Sequence, residues 1–109
     1  MDTTIDDDLV KKPARYTLDC AEMLDEAITY LRERSPKAAE KMGNRFFKII
    51  DLLEIMPELG TKHKKGMRKF LLGKFNYNIY YRELETEIEI IGIWHTSKGT
   101  DFADIYNPQ

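Results

Sequence analysis

The sequence predicts an α+β fold: an N-terminal strand, then an antiparallel helix hairpin packed on a small, mainly antiparallel sheet. Three observations predict it. Apolar residues recur at three- and four-residue steps from Ala21 to Leu53, with one break at Ser35-Pro36. From Met67 the period changes, and three short runs rich in Ile, Tyr, Phe and Leu follow, separated by turn-like breaks. The length of 109 residues leaves room for one domain and no second.

In chain order, Met1 to Ala14 is polar and acidic, closes on Lys11-Lys12-Pro13 and offers little to bury. It reads as a flexible extension (1–14) ahead of the folded domain (15–109). Arg15 to Leu18 suits a short strand. Asp19 is then placed to cap a helix, with Glu22 completing a capping box. Ala21, Leu24, Ala27, Ile28 and Leu31 share the buried face of that helix. Ser35 is a good N-cap and Pro36 suits a first helical turn, so a second helix starts there. It carries Ala39, Met42, Phe46, Ile49, Ile50 and Leu53 inward and ends near Met56-Pro57-Glu58-Leu59-Gly60. A basic loop, Thr61 to Gly66, leads to strands over Met67–Leu72, Tyr77–Leu84 and Glu87–Trp94. Simple alternation in the last strand sets Ile88, Ile90 and Trp94 on one face and Ile91 and Ile93 on the other.

Composition excludes several function classes. With 42% hydrophobic and 33% charged residues the chain is neither membrane-like nor wholly disordered, and no apolar run approaches the ~20 residues that span a bilayer. The net charge of -2 argues against coating nucleic acid by bulk charge. Its distribution is uneven, however. Asp2, Asp6, Asp7 and Asp8 crowd the start, whereas Thr61 to Arg82 holds Lys62, Lys64, Lys65, Arg68, Lys69, Lys74 and Arg82 and no acid. Cys20 is the only cysteine, so no intramolecular disulfide forms, and a reduced cytoplasm fits. At a helix start it reads as a packing residue ahead of a reactive thiol. One Cys and the separated His63 and His95 build no metal cluster.

Spaced segments point to a family. Ala27-Ile28-Thr29-Tyr30-Leu31 leads into Ser35-Pro36-Lys37-Ala38-Ala39; then come Met56-Pro57-Glu58-Leu59-Gly60, Met67-Arg68-Lys69-Phe70, Leu72-Gly73-Lys74-Phe75, Ile79-Tyr80-Tyr81-Arg82 and Ile90-Ile91-Gly92-Ile93-Trp94-His95. In this order and spacing, from Arg15 to about Lys98, the chain resembles the RelE/ParE toxin superfamily of type II toxin–antitoxin systems. The resemblance implies a cytoplasmic toxin without cofactors, a cognate antitoxin partner in a hetero-oligomer, and either DNA gyrase or the ribosome as target. RelE-like members cut mRNA on the ribosome without a metal, whereas ParE-like members inhibit gyrase.

The residues weigh between these branches. Cleaving RNA requires a base for the 2′-hydroxyl, an acid for the leaving oxygen and cations on the phosphate. The available cast is Arg68, Arg82, His95 and Lys98. Asn78 falls where the resemblance implies an arginine in nuclease members, and no tyrosine directly follows His95. The set is incomplete, which favours a ParE-like toxin acting by binding. An mRNA endonuclease is the second reading, and an inactive homologue that only binds antitoxin the third. Arg82, His95, Lys98 and Lys74 are the expected target-binding residues, with Arg82 and His95 ending neighbouring strands. Lys62, Lys64 and Lys65 are weaker candidates for phosphate contacts. Tyr77, Tyr80 and Tyr81 read as packing residues ahead of base-stacking ones.

Overall fold

A computed structural model describes residues 11–107. The expected acidic extension lies, for residues 1–10, outside the described residues. Lys12 is tied down by its backbone N–H to the Glu54 carbonyl at 2.9 Å and by its ammonium to Glu83 Oε2 and the Leu84 carbonyl, each at 2.8 Å. The strand β1 spans Ala14–Tyr16, one residue earlier than Arg15 and two short of Leu18.

Helix α1 spans Leu18–Arg34, and its cap is Thr17, not Asp19. Thr17 Oγ accepts from the Cys20 N–H and donates to the Ile91 carbonyl, both at 3.0 Å. One hydroxyl thus starts the helix and fixes it to the sheet, which leaves the Asp19–Glu22 box two residues too late. Ser35 ends α1 through its backbone N–H to the Leu31 carbonyl, and its side chain caps α2, which spans Pro36–Ile55. The helix hairpin needs no other linker. Phe46, Ile50 and Leu53 are buried between α2 and the sheet, with Leu24, Ile28 and Leu31 of α1 packed against them. Cys20 is fully enclosed, and burial pushes its thiol up to about 12, so the thiolate that reactivity requires does not form.

The remaining strands are β2 (Thr61–Lys62), β3 (Arg68–Leu71), β4 (Tyr77–Glu83) and β5 (Ile88–His95). The sheet order is β1-β5-β4-β3-β2, with β1 parallel to β5 and the other pairs antiparallel. The pair Thr61–Lys62 is a strand where the sequence read as loop. Beyond Gly99 the chain forms a short helix, α3 (Phe102–Ile105), capped by Asp101, which periodicity did not predict.

A bulge corrects the alternation expected of β5. Tyr80 pairs with Gly92 but Tyr81 pairs with Ile90, leaving Ile91 as the extra residue. Its effect is to flip the pattern midway. Ile88, Ile90 and Ile93 join the core under the helices, while Ile91 and Trp94 join a second cluster with Met67, Tyr80, Phe102 and Ala103. The sheet is therefore covered on one face by the helix hairpin and on part of the other by α3. Gly92 lies where Phe102 crosses β5, and a Cβ built on it would meet Phe102 Cζ at 2.7 Å.

Candidate functional site

Antiparallel pairing decides which candidate residues meet. In the β4–β5 pair Tyr77 lies opposite His95 and Arg82 opposite Glu89. Arg82 and His95 do end neighbouring strands, but consecutive antiparallel strands end at opposite edges of the sheet. Five residues along β4 separate their pairing positions, about 17 Å at strand rise. Ending neighbouring strands therefore does not bring Arg82 and His95 together.

At one end lie His95 and Lys98, which line the same clefts, and the turn that carries Lys74 is tied to the loop between them. The 73–75 turn that holds Lys74 closes on Asn76, whose carbonyl accepts from the Thr96 N–H at 2.8 Å. This bond ties the turn to the loop after β5. The Lys98 ammonium lies 4.2 Å from the centroid of the Trp94 ring, and Trp94 Nε1 donates to the Thr100 carbonyl at 2.9 Å. The His95 ring meets Tyr77 edge-on at 4.9 Å. Its Nδ1 accepts from the Ser97 N–H at 3.0 Å and lies 2.7 Å from Ser97 Oγ. A backbone N–H can only donate, so Nδ1 is the accepting nitrogen and the ring proton sits on Nε2. His95 is thereby set to donate a hydrogen bond outward. Between this end of the sheet and α1 opens a cleft of about 520 Å³, lined by Glu26, Tyr30, Tyr77, Trp94, His95 and Lys98 among others.

At the other end Arg82 belongs to a charged row across three strands. Its Nη2 lies 2.6 Å from Glu89 Oε1, and Arg15 Nη2 lies 3.0 Å from the other oxygen. The register places both arginines opposite Glu89. Burial acts to raise the Glu89 pKa, but the hydrogen bonds from Arg82 and then Arg15 outweigh it, and the carboxyl sits below its ordinary value. Both carboxylate oxygens of a buried acid depend on these pairs, so Arg82 has a structural task.

The basic loop is similarly engaged. Lys64 Nζ lies 2.9 Å from Asp104 and Lys65 Nζ donates to the Tyr106 carbonyl at 3.1 Å. His63 Nε2 meets Asp101 Oδ2 at 2.6 Å. Burial acts to raise the Asp101 pKa, yet the Ala103 N–H, His63 and Lys64 overcome it and hold the carboxyl down at about 2. Lys64 and Lys65 thus bind the C-terminal segment to the sheet. Arg68 spends Nη1 on the carbonyls of Gly60 at 2.7 Å and Glu58 at 3.2 Å. With Lys62, His63, Gly66, Met67 and Glu83 it lines a cleft of about 270 Å³.

Of the tyrosines, Tyr80 and Tyr81 are buried at 3% and 0% exposure and cannot stack on a nucleotide base, whereas Tyr77 is partly open beside His95. Sequence reasoning missed His63, Asp101 and Glu89, whose roles depend on partners far along the chain. Asp101 alone had a local signal, an N-cap residue ahead of Phe102-Ala103. Among the described residues no three His, Cys, Asp or Glu side chains converge to hold a metal ion, and no helix is long and apolar enough to cross a membrane.

Comparison with known proteins agrees with this architecture. The fold is similar to a chain from a solved structure described as the chromosomal ParDE TA system from P. aeruginosa. The TM-score is 0.70 at 19% identity, covering 80% of this chain and 98% of that one. At that identity the likeness speaks to the fold. No curated protein matches the sequence. The profile of the family described as ParE toxin of type II toxin–antitoxin system, parDE, matches residues 14–99, from the first strand to the turn beyond the last. The chain belongs to the ParE toxin family of type II toxin–antitoxin systems.

Proposed function

We propose that this toxin arrests growth by binding a macromolecular target, DNA gyrase, rather than by cutting RNA, and that a cognate antitoxin in the cytoplasm neutralises it. The observation that carries the reading is the dispersal of the catalytic cast. Arg82 is paired with Glu89 at one end of the sheet, His95 presents a donor at the other, and Arg68 is anchored on the 58–60 turn. No single phosphate reaches all three. Asn78 lines a cleft with Lys69, His95 and Lys98, and it offers an amide there where a phosphate-cutting site needs a cation. A binding surface has no such demand for convergence. His95, Lys98 and Lys74 form the target-facing set in this reading, with Arg82 contributing through the exposed part of its guanidinium.

The test pairs two assays on the purified toxin. Inhibition of gyrase supercoiling without cleavage of ribosome-bound mRNA is expected, and antitoxin from the neighbouring reading frame should relieve it. Alanine at His95 and at Lys98 should each weaken inhibition, and at the exposed Lys98 the change should shift stability by less than about 0.5 kcal/mol. Codon-positioned mRNA cleavage, abolished by His95→Ala, would overturn the proposal.

A further inference from the structure

One basic surface remains without a task. Among the described residues Lys62 has no carboxylate partner, and Arg68 meets only carbonyl oxygens. Both line the 270 Å³ cleft, whose single carboxylate, Glu83, is bound by Lys12 at 2.8 Å. Lys12 therefore does two things: it neutralises the acid in the cleft and brings the start of the described chain beside it. Four to six residues ahead of Lys12 in sequence lie Asp8, Asp7 and Asp6, with Asp2 nearer the start and no basic residue before Lys11.

We propose that the Lys62–Arg68 cleft is an acidic-peptide site and that its occupant is the chain's own Asp2–Asp8 segment. Geometry permits it. Arg68 pairs with Tyr81, two residues before Glu83, which places Arg68 about 8 Å from Glu83 by strand rise and spacing. An extended chain covers about 3.3 Å per residue, so Asp8 lies within about 10 Å of Lys11 and Asp2 within about 30 Å. Tethering gives the segment an effective concentration in the millimolar range, so exposed ion pairs worth about 0.2–1 kcal/mol each hold it in a partly occupied, salt-sensitive contact. An external polyanion must then compete with the segment for Lys62 and Arg68, and the segment screens this face from acidic partners.

Zero-length carbodiimide cross-linking of the full chain, read by mass spectrometry, tests the contact. Asp6, Asp7 or Asp8 joined chiefly to Lys62 is the expected product, and it should fade in about 0.5 M salt, where the Debye length is only a few ångströms. A triple variant, Asp6→Asn, Asp7→Asn and Asp8→Asn, leaves the packed domain intact. Its amide resonances should move at Lys62, Gly66 and Arg68 but not at Lys74 or Lys98, and it should bind a hexaglutamate probe at least threefold more tightly than wild type. Cross-links spread evenly over Lys37, Lys48, Lys74 and Lys98, or equal probe affinity in the two proteins, would overturn the proposal. Neither readout involves gyrase or antitoxin, so its failure would leave the toxin reading standing.

Discussion

Replacing Tyr81 with phenylalanine removes one oxygen from the most enclosed polar contact in the domain. Tyr81 is fully buried; its hydroxyl donates to the Pro57 carbonyl at 2.6 Å and accepts from the Gly60 N–H at 2.8 Å. Pro57 and Gly60 are themselves buried, so the variant leaves one donor and one acceptor without partners and without water. Each orphaned group costs about 1–3 kcal/mol, and the ring's apolar packing is unchanged, so a loss of about 3 kcal/mol is expected. For a domain of this size that is roughly 12 °C in Tm. Thermal and urea unfolding followed by circular dichroism measure it. Tyr80→Phe is the control: its hydroxyl reaches Asp101 only at 3.4 Å, and the loss should stay under about 1 kcal/mol. A Tyr81→Phe protein within 1 kcal/mol of wild type would refute the account, because the 57–60 turn would then be satisfied by solvent and not by the tyrosine.

Gly92→Ala puts a methyl 2.7 Å from Phe102 Cζ and should cost about 1–3 kcal/mol, loosening α3 from Trp94 in a way that tryptophan fluorescence detects. Phe102→Leu, which withdraws the ring edge, should restore part of that loss, and no restoration would place the clash elsewhere. Acid stability follows Asp101, whose folded value of about 2 lies below its ordinary 3.8. A depressed carboxylate contributes stability that is present above 3.8 and lost as pH falls from there through about 2. Asp101→Asn should flatten that part of the unfolding curve against pH, and an unchanged acid limb would show that His63 and the Ala103 N–H do not stabilise the charge.

What the sequence made legible follows from how local each cause is. The helix hairpin was readable because Ser35 caps α2 through its own side chain and because α2's buried stripe repeats at helical spacing. The α1 cap was misplaced because the choice of Thr17 over Asp19 rests on the Ile91 carbonyl, a partner 74 residues away. The faces of β5 were misassigned for a similar reason, since nothing within Ile88 to His95 announces that Ile91 has no partner on β4. Among the candidate site residues the chemistry of each was readable and its company was not. Arg82 signalled a cation, but only the register showed that Glu89 and Arg15 already hold it in a row.

That register also bears on what a phosphate-cutting site on this sheet would require. The same antiparallel sheet offers two ends and two faces, and a phosphate-cutting site requires base, acid and cations within a few ångströms of one phosphorus. Here the position facing Trp94 is Asn78, and the guanidinium five residues along β4 from Tyr77 neutralises Glu89. A cation at position 78 would join Lys69, His95 and Lys98 around one cleft, while Arg82 stays committed to Glu89. Several side chains would have to change together before base, acid and cations met at one phosphorus.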